Sequence, residues 1–280
     1  MFKIIKKEIL NPTVTSMEIE APLIARKAKA GQFIILRVRE EGERIPLTIA
    51  DYDTVKGTVR IIFQIVGKTT KLLNQLNEGD YILDFVGPLG LPSHVEGLKK
   101  VAVIGGGVGC AIAYPTAKAL YDNGVDVTVV AGFRNKDLVI LEEEFAKASN
   151  TLYMVSDDGS HGEKGLVTDV LRKLIDSGEQ FDEVIAIGPL VMMKFVCLLT
   201  KEYNIKTIVS MNPIMIDGTG MCGCCRLTVG GEMKFACVDG PDFDGHLVDF
   251  DEAISRSKQY AEFEQKERES DCNLMNKEVA

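Results

Sequence analysis

Positive charge is in short supply in this sequence. Lys and Arg number 32 against 41 Asp and Glu, a formal net charge of −9, whereas a nucleic-acid binder normally needs a basic face. Anionic ligands stay open, because phosphates can be held by backbone N–H groups at a helix start. Long apolar runs are also missing. The longest, around Val101–Ala113, is broken by three consecutive glycines and falls short of the roughly 20 residues of a membrane helix. Met1–Glu8 alternates apolar residues with lysines and lacks the apolar region and cleavage site of a signal peptide, so a cytoplasmic address is expected. His94, His161 and His246 are widely spaced, near glycines or prolines, and read as surface loop residues. No internal repeat or low-complexity stretch is visible.

What is present is a globular chain of 280 residues, 46% hydrophobic and 26% charged, with room for about two domains. The first hundred residues read as β-rich. Phe33–Val38, Val59–Val66 and Tyr81–Val86 are short apolar runs between turn residues, which suggests a small β-barrel or sandwich. One helical pattern interrupts them near Thr69–Leu76.

The pattern changes at Lys99. Strand candidates at Val101–Ile104, Val125–Ala131, Thr151–Val155, Glu183–Ile187 and Thr207–Met211 alternate with helix candidates at Ala111–Asn123, Leu141–Ser149, Leu166–Ser177 and Val191–Glu202. Such alternation means a doubly wound parallel sheet with helices on both faces. From about Asn212 it gives way to a glycine- and cysteine-rich segment with short strands at Arg226–Val229 and Met233–Ala236, followed by a charged, helix-forming tail over Phe250–Ala280. The chain thus divides at 1–98, 99–211, 212–250 and 251–280.

Gly105, Gly106, Gly107 and Gly109 lie between a buried strand and a helix. In that setting glycines let the backbone turn tightly and approach a pyrophosphate at the helix N-terminus; a tight βα turn without a ligand is the plainer reading. The acidic residue that a Rossmann fingerprint places at the end of the next strand is absent: that strand ends Gly132-Phe133-Arg134. Arg134 is a candidate for an adenosine phosphate or ribose, or a solvated loop residue. Ser156–Gly159, with Asp157 and Asp158, and Gly188-Pro189 also directly follow strands, where open α/β sheets collect ligands.

The seven cysteines are an odd, uneven set. Four fall between 222 and 237, while Cys110, Cys197 and Cys272 are scattered, which makes a poor disulfide framework and a better metal or cluster site. Asp217 to Cys222 is x4 and Cys222 to Cys225 is x2, with eleven residues between Cys225 and Cys237. Plant-type [2Fe–2S] ferredoxins use Cys-x4-Cys-x2-Cys and a distant fourth Cys, so Asp217 stands in the first ligand position. Glycines at 218, 220 and 223 let such a loop wrap a cluster. A structural zinc on Asp217, Cys222, Cys225 and Cys237 is the alternative, since all these residue types ligate zinc. Cys224 is the alternative fourth ligand, but it breaks the spacing and reads as a neighbour.

In order, these pieces resemble the ferredoxin-NADP reductase-like flavoprotein superfamily over roughly residues 1–240. Arg44-Ile45-Pro46-Leu47-Thr48 looks like its flavin motif. The resemblance implies that Arg44 pairs with the FAD pyrophosphate, with Pro46 and Leu47 beside it, and that the Thr48 hydroxyl sits near the reactive flavin nitrogen as the catalytic group. Gln64, Val66, Gly67, Thr69 and Thr70 look like the phosphate-holding turn, with Thr69 replacing a glycine, and Gly87-Pro88-Leu89-Gly90 like the turn that closes the barrel. The superfamily also uses a Gly-x-Arg turn where the ribose carboxylate is missing.

A two-iron segment after the nicotinamide domain is the mark of a narrower group. It contains the electron-transfer subunits of dihydroorotate dehydrogenase and the small subunits of NADH-dependent ferredoxin:NADP oxidoreductases and related sulfide dehydrogenases. Asp217 resembles the second kind, as do the phrases SDDGSHGEKGLVTD and AIGPLVMMK, which contains Met192. The resemblance implies FAD, a [2Fe–2S] cluster and NAD(H), with NADP(H) open, in an electron relay. It also implies a larger flavin and iron–sulfur partner subunit that bifurcates electrons, with ferredoxin reached indirectly. The dihydroorotate dehydrogenase subunit and a non-catalytic, zinc-containing nucleotide module remain alternatives.

Overall fold

The computed structural model describes residues 1–266. Its first part is one seven-stranded antiparallel sheet made of β1 (Phe2–Asn11), β2 (Val14–Glu20), β3 (Phe33–Arg37), β4 (Arg44–Asp53), β5 (Thr58–Gln64), β6 (Tyr81–Ile82) and β7 (Asp84–Leu89). A single-turn helix α1 (Pro22–Ala25) and helix α2 (Lys68–Gln75) lie between strands. The strand order is β6-β1-β2-β5-β4-β3-β7. The two edge strands are separated in the chain by Leu83 alone, whose N–H donates to Val38 O at 3.3 Å. The sheet therefore curls into a nearly closed barrel, which leaves little open edge. This is also why the expected single strand Tyr81–Val86 is two. Its first residues pair with β1 and the rest with β3.

Two strands had no clear signal. β1 buries only Ile4 and Asn11 along ten residues, too little for an alternating pattern to register. β2 buries polar Thr15 and Ser16 beside Val14 and Met17. The Thr15 hydroxyl donates to Asn74 Oδ1 at 2.8 Å, which satisfies it inside the fold.

The second part contains β8 (Lys100–Gly106), α3 (Gly109–Asp122), β9 (Asp126–Phe133), α4 (Glu142–Lys147), β10 (Thr151–Ser156), β11 (Glu163–Lys164), α5 (Val167–Asp176), β12 (Glu183–Ile187), α6 (Leu190–Glu202) and β13 (Thr207–Ser210). These strands are parallel, in the order β11-β10-β9-β8-β12-β13. Period-2 alternation sends Val101, Val103, Val127 and Val129 to the side of α3 and α4, and Ala102, Ile104 and Val130 to the side of α5 and α6. Both faces are covered, as a parallel sheet requires.

The cysteine segment contributes a hairpin, β14 (Arg226–Val229) and β15 (Glu232–Phe235), then β16 (Asp242–Asp244) and α7 (Phe250–Ser257). β16 pairs antiparallel with β13, so the nucleotide sheet is not purely parallel and the cysteine segment is stitched to its edge. The tail expected to be helical over Phe250–Ala280 is α7 at its start; residues 267–280, with Cys272, lie outside the described residues. Among the described residues no helix is long and apolar enough to cross a membrane.

Candidate functional site

The residues singled out as site candidates fall into three groups, and the first is an open strand edge. β3 pairs with β4 throughout Arg44–Thr48, placing Arg37 opposite Arg44, Ile35 opposite Pro46 and Phe33 opposite Thr48. β5 joins β4 only from Ile49 onward. The other edge of Arg44–Thr48 is therefore unpaired, which is where a strand tolerates a proline. Arg44 is half-buried and its Nε donates to Ile216 O at 2.8 Å, in the cysteine segment. The adjacent Glu43 accepts the Thr69 hydroxyl at 2.8 Å.

The neighbouring turn differs from expectation in one respect. The Thr70 hydroxyl accepts the N–H groups of Val66 and Gly67, each at 3.0 Å, and donates to Gly67 O. It caps the start of α2 instead of standing open toward a phosphate. Gln64 ends β5 beside this turn. Gly87 lies in β7 against β3, where a Cβ would come 2.7 Å from Ile34 Cγ2.

The second group is a glycine edge at the carboxyl ends of β8 and β12, the point where the strand order reverses. Gly105 and Gly106 end β8, and Gly107 turns with φ +55° while its N–H donates to Gly132 O at 2.8 Å. A Cβ on Gly109 would sit 2.6 Å from both Gly188 Cα and Ile187 O, and one on Gly106 would run into Met192 Sδ. Gly106 and Gly109 thus pack directly against Gly188, Pro189 and Met192, at least 79 residues later in sequence, a close approach of the two strand ends that a side chain would block.

Arg134, Asp157 and Asp158 lie at the adjoining strand ends. Asp157 N–H donates to Phe133 O at 3.1 Å. Asp158 accepts both the N–H and the hydroxyl of Ser160, at 2.9 and 2.6 Å. The Ser160 hydroxyl holds its carboxyl below the usual range, so that carboxylate is committed to its own loop. Arg134 and Asp157 are exposed. Ser160 was not singled out from the sequence and His161 reads there only as a surface loop residue, yet both fasten the loop. Ser160 Oγ accepts Lys136 N–H at 2.8 Å, and His161 Nε2 lies 3.0 Å from Glu142 Oε2. The Ser in SDDGS was the available signal, since Asp-x-Ser turns close on themselves.

The third group is the cysteine loop. Cys225 and Cys237 flank the β14–β15 hairpin, which brings their sulfurs to 3.2 Å despite twelve residues of separation. Both are buried, Cys224 is half-buried and Cys222 is exposed. Asp217 folds back on the loop: its Oδ1 accepts Thr219 N–H and its Oδ2 accepts Cys222 N–H, both at 2.8 Å. The Thr219 bond, foremost, keeps its carboxyl ionised below the normal range. Gly218, Gly220 and Gly223 all have positive φ, and a Cβ on Gly218 would strike Leu89 and Ile35 of the barrel at 2.7 and 2.8 Å.

Burial, then the Cys225 hydrogen bond, pushes the Cys237 thiol up to about 12. Iron cations reverse such a shift, because a coordinating thiol is deprotonated outright. Two buried thiols, an exposed one and an ionised carboxylate around a glycine loop fit an iron–sulfur centre. Among the described residues no three His, Cys, Asp or Glu side chains are already gathered as a metal site. The pair Cys225–Cys237 is in place, with Asp217 and Cys222 held on the loop beside it.

Comparison with known proteins bears on the nucleotide part and the cysteine segment separately and on the chain as a whole. Residues 103–198 match the oxidoreductase NAD-binding domain, and residues 212–249 the iron–sulfur cluster binding domain of dihydroorotate dehydrogenase B. A Thermotoga maritima protein, named as a homolog of the dihydroorotate dehydrogenase B (NAD(+)) electron transfer subunit, is 49% identical over 94% of this chain and 92% of its own. That subunit from Streptococcus pneumoniae is 33% identical over 86% and 94%. Among solved structures, a chain from the NADH-dependent reduced ferredoxin-NADP oxidoreductase aligns with a TM-score of 0.92 and 46% identity, over 96% of this chain and 97% of that one. The cytochrome b5 reductase domain of Ulva prolifera nitrate reductase, at 17% identity and a TM-score of 0.60 over 72% and 91%, shares the fold.

Barrel, nucleotide sheet and cysteine segment together define a ferredoxin-NADP reductase-like electron-transfer oxidoreductase subunit. More narrowly, the chain belongs to the family of dihydroorotate dehydrogenase B electron-transfer subunits, and within it to the type of the ferredoxin-NADP oxidoreductase small subunit.

Two outcomes follow from the geometry. Gly109→Ala forces α3 away from Ile187 and Gly188. It should cost about 1–3 kcal/mol of stability, as overpacking does, and weaken NADH binding roughly tenfold, about 1.4 kcal/mol; urea unfolding and NADH titration read the two. In the iron-free protein at pH 8, iodoacetamide should label Cys222 well before Cys225 or Cys237, because Cys222 is exposed and the other two are buried and thiolate is the reactive form. Peptide mapping by mass spectrometry checks the order.

Proposed function

We propose that this chain moves electrons between NAD(H), FAD and a [2Fe–2S] cluster, and passes them to a larger subunit in an electron-bifurcating NADH-dependent ferredoxin:NADP oxidoreductase. One observation carries the reading. A single apolar cluster contains Phe33 and Ile35 of the barrel, Met193 and Met211 of the nucleotide part, and Met215, Cys225 and Cys237 of the cysteine segment. The three candidate sites therefore share one continuous wall, as a short relay needs.

The roles follow from position. Arg44 offers its guanidinium to the flavin pyrophosphate along the unpaired edge of β4, and Thr48 lies on the same edge to donate a hydrogen bond at the flavin's reacting nitrogen. Pro46 and Leu47 flank it, Gly67 and the α2 turn face the phosphates, and Gly87 lets β7 approach closely. Gly105–Gly109, Gly188, Pro189 and Met192 cradle the dinucleotide, and Arg134 and Asp157 bound its adenosine end. Asp217, Cys222, Cys225 and Cys237 hold the irons. FAD bound there would supply the conversion of one hydride from NADH, two electrons at once, into single electrons for a cluster that carries one at a time. The buried Met, Ile and Phe side chains around that path exclude water. Ferredoxin is reached through the larger subunit, and a reducing cytoplasm suits the free thiols.

The dihydroorotate dehydrogenase subunit is the second reading, favoured by the match over residues 212–249. A carboxylate at Asp217 in place of a thiol argues for the first. Purified native protein should be yellow-brown, with flavin absorption, about two irons per chain, and a flavin and iron–sulfur partner. Colourless protein with zinc overturns the relay, and a dihydroorotate-oxidising partner selects the second reading. Asp217→Cys should retain the cluster but alter its EPR spectrum; an unchanged spectrum removes Asp217 from the ligand set.

A further inference from the structure

Two arginines face each other where β3 and β4 begin to separate, and they are used differently. Arg37 is neutralised: its Nε donates to Asp84 Oδ2 at 2.7 Å and its Nη1 to Glu40 O at 3.1 Å. Arg44, its register partner, has no carboxylate within ion-pair reach among the described residues. Its one hydrogen bond there is Nε to Ile216 O, 172 residues away. A guanidinium has five N–H donors in a fixed planar fork. With Nε turned to Ile216, the two Nη groups remain for an anion on the open edge of β4.

Ile216 immediately precedes the loop that Asp217 organises. One carboxylate oxygen holds Thr219 N–H and the other Cys222 N–H, so the loop from 217 to 222 hangs from a short, internally braced stem. That stem is pinned to the barrel on both sides. Arg44 grips the carbonyl of Ile216, and Gly218 lies flat against Ile35 and Leu89, with no room for a Cβ. The residue before Arg44 ties in the other neighbour, since Glu43 accepts the hydroxyl of Thr69 in the first turn of α2. The first two residues of this strand region thus hold the candidate phosphate turn with one side chain and the iron loop with the next.

We propose that Arg44 is a positioning residue that couples flavin occupancy to the shape of the iron–sulfur loop. The proposal rests on the reading of the barrel as the flavin site. A pyrophosphate on the Nη groups fixes the plane of the guanidinium, and that fixes the direction in which Nε presents its proton to Ile216 O. The loop is then held with Cys222 beside the Cys225–Cys237 pair. Coupling between two sites is reciprocal, so a loop closed on iron must hold Arg44 in the orientation that receives the pyrophosphate. Lysine carries the charge but has no second, rigidly placed donor, so it keeps the anion contact and loses the connection.

The test uses the full-length protein with and without its irons, the latter prepared by chelation under reducing conditions. FAD affinity is read from the flavin's own fluorescence. Exchange at the Thr219 and Cys222 amides is read by hydrogen–deuterium mass spectrometry. FAD should bind the iron-loaded chain at least about fivefold more tightly than the iron-free chain, and should slow exchange at both amides in the iron-free chain. In Arg44→Lys, FAD should still bind at higher concentration, with the affinity ratio near one and the amide protection gone. Equal affinities and unchanged exchange in the wild type overturn the coupling while leaving the barrel as the flavin site. A ratio that survives in Arg44→Lys overturns the part given to Arg44. No FAD binding by either form overturns the flavin reading and the coupling together. If Arg44→Lys fails to fold, the wild-type ratio and amide exchange decide.

Discussion

Strand β3 is buried on both faces, and the rest of the molecule is arranged around that constraint. Ile34 and Leu36 point into the barrel; Phe33 and Ile35 point out of it, into the cluster shared with the nucleotide sheet and the cysteine segment. Each such side chain fully removed from water contributes roughly 1.5–3 kcal/mol. Pulling the two parts apart would expose Phe33 and Ile35 together with the residues that shelter Cys225 and Cys237. A relay needs its redox groups at fixed separation, and an apolar seam supplies that more firmly than surface contacts do.

The polar contacts across the same two parts orient more than they stabilise. Lys118 of α3 meets Asp51 of β4 at 2.9 Å, and Arg60 of β5 lies 3.6 Å from Glu144 of α4. Partly exposed pairs of this kind are worth about 0–1 kcal/mol each. A more enclosed contact joins three segments. Ser93, in the linker after the barrel, donates to Asp242 of β16 at 2.5 Å and lies 3.1 Å from Thr116 of α3. Burial pushes the Asp242 carboxyl above its usual range, and the hydroxyls of Ser93 and Ser210 keep it satisfied. The cysteine segment is thereby fixed to the nucleotide sheet on one side, while Arg44 and Gly218 fix it to the barrel on the other.

Much of the fold was legible because burial on two faces leaves continuous apolar runs, and these mark β3, β5, β8, β9 and β12 in the sequence. β1 and β16 were not legible. β1 is mostly exposed and β16 is three residues long, so neither leaves a pattern; both form because a neighbouring strand offers a ladder. Among the candidate site residues, spacing found the cysteine loop and the glycine turns. It could not foresee that Thr70 caps a helix, that Asp158 closes its own turn, or that Ser160 and His161 fasten the loop, because each depends on which partner lies within 3 Å.

The sequence alone determined the kinds of chemistry available: three thiols and a carboxylate at x4–x2 spacing, glycines between strand and helix, and an arginine and a threonine on one strand. Those are properties of local spacing, which covalent geometry translates directly into turns and loops. Only the tertiary structure decided that the cysteine loop hangs from Arg44 and lies on Ile35 and Leu89, bringing positions 44 and 216 to 2.8 Å. A contact across 172 residues leaves no mark on local spacing. It exists because a strand buried on both faces forces barrel, sheet and loop to share one wall.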